Sequence, residues 1–242
     1  MQTKILLTEK QVGQIREHTR ECYPAEMCGF LTTEDFIPTR NISETPEKSF
    51  TIDPIDYVKN FKEAIAVIHS HTSSINSHSP VDLRTPSYAD YINQQKTGKP
   101  WLIVGCDEYS ISDAIQFPRV PSKDYVGRVF QWFTSDCYNL VQDFYRFELD
   151  IILPDAIIKE SYNKLRLHNN IFDEYIESYG FKEVSISELR DNDLLLIDTA
   201  GFHGNHLGIY TKGQVLHQDL VSSYVHYEEV GLRVTKVLRY DK

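Results

Sequence analysis

The first half of the chain alternates between short apolar runs of strand length and segments with helical periodicity. Thr8-Glu-Lys-Gln11 has the pattern of a capping box, which predicts that a helix begins there and ends near Pro24. Strands are then predicted at 29–33, 36–42, 50–52, 64–69, 101–106 and 109–117, with further helices beginning near 54 and within 85–90. This order predicts an α/β (α+β) domain whose loops present polar side chains.

An aperiodic segment separates this half from the next. Residues 118–124 contain two prolines, three charged residues and no hydrophobic period, a composition that is typical of a linker. We therefore expect one domain at 1–118, a linker at 119–124 and a second domain at 125–242.

The second half contains one helix and one hairpin with clear signals. Leu140, Val141 and Phe144 lie at helical spacing, and either residue before Cys137 can cap that helix, so Cys137 falls in its first turn. Lys212-Gly213 is a turn signal between two apolar runs and predicts a β-hairpin.

The composition excludes several classes of protein. With 242 residues, 41% of them hydrophobic, the chain can form real cores and is not a disordered protein. The net charge is −10 and no basic patch is visible, so we expect no binding to nucleic acid or to anionic membranes. We also expect no signal peptide and no membrane insertion, because no apolar run has the required length.

The four cysteines show no Cys-x-x-Cys spacing, so neither a thiolate zinc site nor a dithiol redox motif is indicated. Cys28 and Cys106 lie in apolar stretches and are expected to be buried and unreactive. Cys137, by contrast, lies in the first turn of the predicted helix.

A histidine-rich stretch after the predicted strand 64–69 has the composition of a catalytic metal site. His69 and His71 are followed by Ser79 and Asp82. Two imidazoles and one carboxylate make three ligands for Zn²⁺ and leave the fourth position for water. Glu26, just before an apolar run, is a candidate for the base, and Ser79 for an oxyanion donor. The alternative is a surface loop rich in His and Ser that binds no metal.

These residues resemble the motif of the JAMM metallopeptidases, also called the MPN or Mov34 domain. The resemblance includes Pro-x-Glu26-x-Cys-Gly and His69-x-His71, seven residues, Ser79-x-x-Asp82. It implies that Glu26 is the general base, that both histidines and Asp82 bind zinc, and that Ser79 stabilises the oxyanion. The implied substrates are peptide or isopeptide bonds.

Cys137 is a candidate nucleophile. A thiol in the first turn of a helix feels the positive end of the helix dipole, which favours the thiolate. His206 and His217 lie near the open end of the predicted hairpin, where one imidazole can act as base and the other can orient it. A buried structural cysteine is the alternative.

Asp-Cys137-x-x-Leu-Val, His206-x-Gly-Ile-Tyr and Leu-His217 resemble the NlpC-type cysteine peptidases, a papain-related superfamily that mostly cuts peptidoglycan stem peptides. The resemblance implies a Cys137-His206-His217 triad, with Tyr125 contributing to the oxyanion site. The sequence departs from the family at Asn192, where Gly is common, and at the two residues after the cysteine, where Ser-Gly is frequent.

A JAMM domain followed at once by an NlpC-type domain resembles the layout of tail-tip proteins of long-tailed phages. This implies a component of the distal tail of the virion, made in the host cytoplasm and delivered to the periplasm and cell wall. The implied partners are other tail-tip proteins, and the implied substrate is peptidoglycan. Two other hypotheses stay open: a structural tail-tip plug or assembly factor with idle or single-use sites, and a cellular enzyme acting on ubiquitin-like conjugates.

Overall fold

The computed structural model describes residues 3–73, 83–155, 172, 176–199, 202–218, 225–228 and 233–241, with the backbone alone at 199, 202–205 and 225–228. The chain divides into two compact units, Met1–Val120 and Pro121–Lys242. Each unit combines helices with a sheet, so the predicted fold class, two α+β domains, is confirmed. The predicted linker 119–124 falls at this division. None of the described helices has the length and apolarity required to cross a membrane.

The first unit is a five-stranded mixed sheet with three described helices. Its strand order is β2-β1-β3-β4-β5, with β3 and β4 parallel and the other pairs antiparallel. The elements are α1 (Glu9–Cys22), β1 (Cys28–Leu31), β2 (Phe36–Thr39), α2 (Pro54–Asn60), β3 (Ala66–Thr72), α3 (Tyr88–Thr97), β4 (Trp101–Cys106) and β5 (Ile115–Phe117).

Local signals explain most of these elements. The Thr8 side chain accepts from the Gln11 N–H and closes the predicted capping box of α1. Strands β1 and β4 consist of apolar residues and glycine, and both are buried along their whole length. Strand β3 extends further than the predicted strand 64–69, because parallel pairing with β4 continues to Thr72. Both site histidines therefore lie within the strand and not beyond its end.

The second unit is a six-stranded antiparallel sheet against which one described long helix packs. The strand order is β10-β9-β8-β7-β11-β6. The elements are α4 (Cys137–Glu148), β6 (Phe181–Val184), a 3₁₀ turn (Ile186–Glu188), β7 (Leu194–Thr199), β8 (Phe202–Thr211), β9 (Gln214–Gln218), β10 (Val225–Glu228) and β11 (Val234–Tyr240).

The predicted helix and hairpin of this unit are confirmed. Asp136 caps α4, and the apolar face of the helix is buried in one core with strands β8 and β9. The hairpin joins β8 to β9 through Lys212 and Gly213, which both have positive φ, 53° and 78°. Two consecutive residues with positive φ are characteristic of the type I′ turn, whose twist suits a two-residue hairpin.

Candidate active sites

Two buried side chains and one partly buried side chain of the first unit converge at one point beside strand β3. The Nε2 atoms of His69 and His71 lie 3.0 Å apart. The two oxygens of Asp90 lie 3.1 Å from His69 Nε2 and 3.1 Å from His71 Nε2. Within the described chain, this is the only cluster of three or more His, Cys, Asp or Glu ligand atoms close enough together to share a metal ion.

The donor set fits a zinc ion with an open position. Bonds of about 2.0–2.1 Å in a tetrahedron place neighbouring ligand atoms roughly 3.3 Å apart, close to the separations seen here. His71 Nδ1 is 2.6 Å from the Leu83 carbonyl oxygen, and a hydrogen on Nδ1 leaves the Nε2 lone pair directed at the cluster. The His69 ring is fixed by stacking on Phe50, with ring centroids 4.6 Å apart.

The carboxylate of Asp90 is held by the start of helix α3. Ser87 caps this helix: its side chain accepts from the Asp90 N–H at 3.1 Å, and its own N–H donates to Asp90 Oδ2 at 2.6 Å. Burial would raise the pKa of the Asp90 carboxyl, but His69 and His71 hold that pKa well below its usual range. Asp90 is therefore an ionised carboxylate aimed at the two imidazoles.

The sequence motif did not identify Asp90. The predicted Ser79 and Asp82 lie outside the described residues, so their placement stays a prediction. A signal for Asp90 was nevertheless present, because Ser87-x-x-Asp90 repeats the Ser79-x-x-Asp82 pattern eight residues later. Spacing from His71 selected the first copy, whereas the structure brings the second copy to the histidines.

Glu26 lies at the edge of this cluster. The pairing of Cys28 with His69, continued by the Ser70 N–H that donates to Met27 O at 3.0 Å, places Glu26 opposite His71. Its backbone is fixed on both sides, since its N–H donates to Pro46 O at 2.6 Å and its carbonyl accepts from Asn41 Nδ2 at 2.9 Å.

The Glu26 side chain is 6% exposed. Burial raises the pKa of its carboxyl to about 7, although the nearby His71 lowers it. A carboxylate that exchanges its proton near neutral pH suits general base catalysis. Glu26 also borders a cavity of about 540 Å³ between the end of α1 and the end of β2. The other lining residues are His18, Cys22, Ala25, Pro38, Thr39, Arg40, Asn41 and Pro46.

The second unit brings the predicted thiol and two histidines to one region. Cys137 is the first residue of α4, and the backbone N–H of Leu207, the neighbour of His206, is near enough to its thiol to lower the thiol pKa. His206 Nε2 lies 3.1 Å from His217 Nδ1. All three predicted residues are buried, with 8%, 2% and 3% exposure for Cys137, His206 and His217.

The hairpin register explains why the two imidazoles meet. Gly208 pairs with His217, so His206, two residues before Gly208, is the diagonal neighbour of His217 on the same sheet face. A Cβ atom on Gly208 would lie 2.7 Å from Val215 Cγ1 and 3.3 Å from His217 Cβ. Glycine at this position therefore allows His217 to approach.

The thiol differs from the expectation based on the helix dipole. Burial raises the pKa of Cys137 to about 12, and the charge of Asp136 adds to this rise. The backbone N–H groups of Leu207, Tyr138 and Cys137 lower the pKa but do not outweigh burial. The resting thiol is therefore protonated at neutral pH, and a nucleophilic attack would require a base.

The structure corrects the expected role of Tyr125. Its hydroxyl donates to Glu148 Oε1 at 2.9 Å, at the last residue of the 12-residue helix that begins with Cys137. At 1.5 Å per residue, the two ends of this helix lie roughly 16 Å apart. Tyr125 is thus not positioned to donate to an oxyanion beside Cys137. The expectation came from the resemblance to the NlpC-type peptidases, which have a tyrosine upstream of the cysteine.

The two departures from the cysteine peptidase pattern have structural reasons. Asn192 has a φ of 75°, a left-handed conformation that Asn tolerates better than most residues with a side chain. The Tyr138 hydroxyl donates to Pro154 O at 2.7 Å and so fixes the segment after α4 to the start of the helix.

Comparison with known proteins adds family assignments to this geometry. Residues 8–116 match the family of prokaryotic homologs of the JAB domain, and residues 125–236 match the NlpC/P60 family. Both domain resemblances indicated by the motifs are thus confirmed. A solved structure of NlpC1 from Trichomonas vaginalis aligns with 89% of this chain and 69% of its own length, at 13% identity and a TM-score of 0.33.

Two relatives share most of this layout. Over 244 residues the chain is 25% identical to tail tip assembly protein K of Escherichia phage N15, covering 97% of this chain and 96% of that protein. Over 156 residues it is 30% identical to tail tip assembly protein K of Escherichia phage lambda, covering 64% of this chain and 69% of that protein. The chain therefore belongs to the tail tip assembly protein K family, with a JAB domain followed by an NlpC/P60 domain.

Proposed function

We propose that this protein is a phage tail-tip component with two peptidase centres, one in each domain. The observation that carries the proposal is that each domain brings together its own set of side chains of the types that hydrolases use. The first set is His69, His71 and Asp90 beside Glu26. The second is Cys137 beside the His206–His217 pair. Both domains belong to peptidase families.

In the JAB domain, His69, His71 and Asp90 would hold a zinc ion, which supplies a water of lowered pKa and polarises a carbonyl. Glu26 would act as the general base, taking up a proton at its carboxylate and passing it to the leaving amine. Asp90 takes the place predicted for Asp82. Ser87 takes the place predicted for Ser79, because its hydroxyl lies next to Asp90 and can donate to the oxygen of the attacked carbonyl. The substrate class is a peptide or isopeptide bond, for example in a tail protein.

In the NlpC/P60 domain, His206 takes the proton of the Cys137 thiol as the sulfur attacks an amide carbonyl. The carbon–nitrogen bond then breaks, the amine leaves with the proton from His206, and water hydrolyses the thioester. His217 orients His206 through the 3.1 Å contact between their ring nitrogens. The proposed substrate is the stem peptide of peptidoglycan.

The name of the relatives supports the location. We infer that the protein is made in the host cytoplasm, contacts other tail-tip proteins, and is carried by the distal tail of the virion to the periplasm and cell wall. Delivery by the tail would bring the Cys137 centre to its substrate without insertion of the chain into a membrane.

Digestion of purified peptidoglycan tests the cysteine centre. The wild-type protein should release free amino groups, and Cys137→Ala should release none. Equal release by both proteins would refute the cysteine mechanism.

Metal analysis tests the first centre. The purified protein should contain about one equivalent of zinc per chain, and His69→Ala should contain none. A zinc-free wild type that also takes up no added zinc would refute the proposed metal site.

A second candidate function is favoured by the word assembly in the name of both relatives. In this hypothesis the protein is a structural tail-tip plug or assembly factor whose sites are idle or used once. It predicts stoichiometric incorporation into virions and unchanged infectivity of phages that carry Cys137→Ala or Glu26→Gln. Loss of infectivity with normal incorporation would exclude it.

A further inference from the structure

An exposed aromatic side chain lies five residues before Cys137 in the sequence. Trp132 is 40% exposed, while Trp101, the other tryptophan, is buried at 3%. The Phe130 ring meets Trp132 edge to face, with centroids 4.8 Å apart, and so limits the motion of the indole. Val126 and Val129 just before it are also exposed, so the segment that carries the indole presents several apolar side chains to solvent. We call Phe130 and Trp132 the aromatic platform.

The platform belongs to a tight turn with a fixed geometry. The Gln131 N–H donates to Ser135 O at 3.0 Å, and the Ser135 N–H donates to Gln131 O at 2.8 Å. Phe133 inside this turn has a φ of 64°, which is strained for a bulky residue. Such strain persists only where the surroundings enforce it, so the presentation of Trp132 is a specified feature of the fold.

One carboxylate connects the turn to the helix that carries the thiol. Asp136 Oδ2 accepts from the Phe133 N–H at 2.9 Å, while Oδ1 accepts from the Asn139 N–H at 2.9 Å in the first turn of α4. The aromatic platform and Cys137 are therefore held by the same side chain. A ligand on the platform would keep a constant distance from the sulfur.

That distance is limited by the chain itself. Trp132 precedes Cys137 by five residues, so the two lie at most about 18 Å apart, and less because of the turn. An extended peptide of five residues spans the same length. The distance from the platform to the thiol is therefore no longer than one short extended peptide. The sugar that bears a stem peptide would lie at such a distance from the bond that is cut.

The chemistry of the platform favours a sugar over a peptide. A pyranose ring presents C–H groups on one face, and their partial positive charge suits the negative face of an aromatic ring. Stem peptides carry carboxylates, and a net charge of −10 on the protein disfavours the approach of further negative charge. An N-acetylhexosamine is neutral and has no such cost.

We propose that the aromatic platform of Phe130 and Trp132 binds the glycan strand of peptidoglycan by stacking, next to the stem peptide that Cys137 cuts. The choice of ligand rests on the proposed function of the cysteine centre, since it is the sugar attached to that substrate. The platform would select peptides that are still attached to their glycan over free peptides.

Binding can be measured without catalysis. Full-length Cys137→Ala protein would be titrated with the N-acetylglucosamine tetramer, with tryptophan fluorescence and its quenching by acrylamide as the readout. Because Trp101 is buried, the change reports Trp132. We expect the tetramer to shift the emission and to protect Trp132 from the quencher.

Variants identify the platform as the binding site. Trp132→Ala should weaken tetramer binding, measured by calorimetry, at least about tenfold, since truncated aromatic contacts often cost more than 1.4 kcal/mol. Trp132→Tyr keeps an aromatic face and should restore part of the affinity. The matched control is Tyr109→Ala, which removes an aromatic residue that is 86% exposed in the first unit and should leave binding unchanged.

Three results would overturn the inference: no tetramer binding at millimolar concentration, equal binding by Trp132→Ala, or protection of Trp132 by a free stem tetrapeptide but not by the sugar. The proposed function is tested separately by peptidoglycan digestion. Digestion without tetramer binding would refute the platform alone, whereas binding without digestion would refute the peptidase and leave the platform in place.

Discussion

Replacement of Asp90 by Asn decides which carboxylate completes the metal site. The carboxylate oxygens of Asp90 lie 3.1 Å from both imidazole Nε2 atoms, so the substitution removes the negative charge and one of the three proposed metal ligands. The amide oxygen of Asn can still accept from the Ser87 N–H, so the cap of α3 should persist. The variant therefore tests metal binding with little loss of structure.

The expected loss of zinc affinity can be estimated from substitutions of residues that only support a metal ligand. Loss of a residue that only supports a ligand typically lowers metal affinity about 10–100-fold. Loss of a ligand should cost at least about 100-fold, equal to about 2.7 kcal/mol. The matched control is Asp82→Asn, which should change zinc affinity less than about threefold if Asp90 is the ligand.

Zinc affinity would be measured by competition with a chromophoric chelator, and circular dichroism would confirm that both variants are folded. Tight zinc binding by Asp90→Asn together with zinc loss in Asp82→Asn would refute the assignment. It would restore the ligand set that the motif spacing predicts.

Three other substitutions or modifications test the cysteine domain. Gly208→Val should clash with the side chains of Val215 and Ile197, which lie 2.7 Å and 3.0 Å from an added Cβ, and should displace the nearby His217. The variant should be less stable by about 1–3 kcal/mol in urea unfolding and should not digest peptidoglycan; wild-type stability would contradict the close packing. At pH 7 iodoacetamide should modify Cys137 more slowly than the half-buried Cys22, as measured by peptide mapping. The rate at Cys137 should rise with pH because burial raises the pKa of its thiol to about 12. Faster labelling of Cys137 than of Cys22 at pH 7 would instead indicate a thiolate at Cys137. Tyr125→Phe should change the digestion rate less than about twofold, because the Tyr125 hydroxyl donates to Glu148 at the end of α4 opposite to Cys137. A loss above about tenfold would indicate that this hydroxyl stabilises the oxyanion.

Features with a local cause could be predicted from the sequence. The capping box at Thr8, the cap before Cys137 and the turn at Lys212-Gly213 depend on a few neighbouring residues, and the structure has all three. The hairpin pattern also placed His206 and His217 near its open end, and the structure adds the contact of 3.1 Å between their ring nitrogens.

Features with a tertiary cause could not be predicted. Two copies of Ser-x-x-Asp follow the histidines, and only the packing of helix α3 shows that Asp90 in the second copy reaches them. The pKa of Cys137 depends on burial, which the position at a helix N-terminus does not reveal. Tyr125 precedes the thiol in the chain, but its partner is at the opposite end of the helix.

We propose that the two centres of this chain work independently of each other. To test this, the rate of peptidoglycan digestion would be measured for Asp90→Asn, wild type and Cys137→Ala, each at equal protein concentration. We expect a wild-type rate for Asp90→Asn and no digestion by Cys137→Ala. Loss of digestion in Asp90→Asn, or its survival in Cys137→Ala, would contradict it.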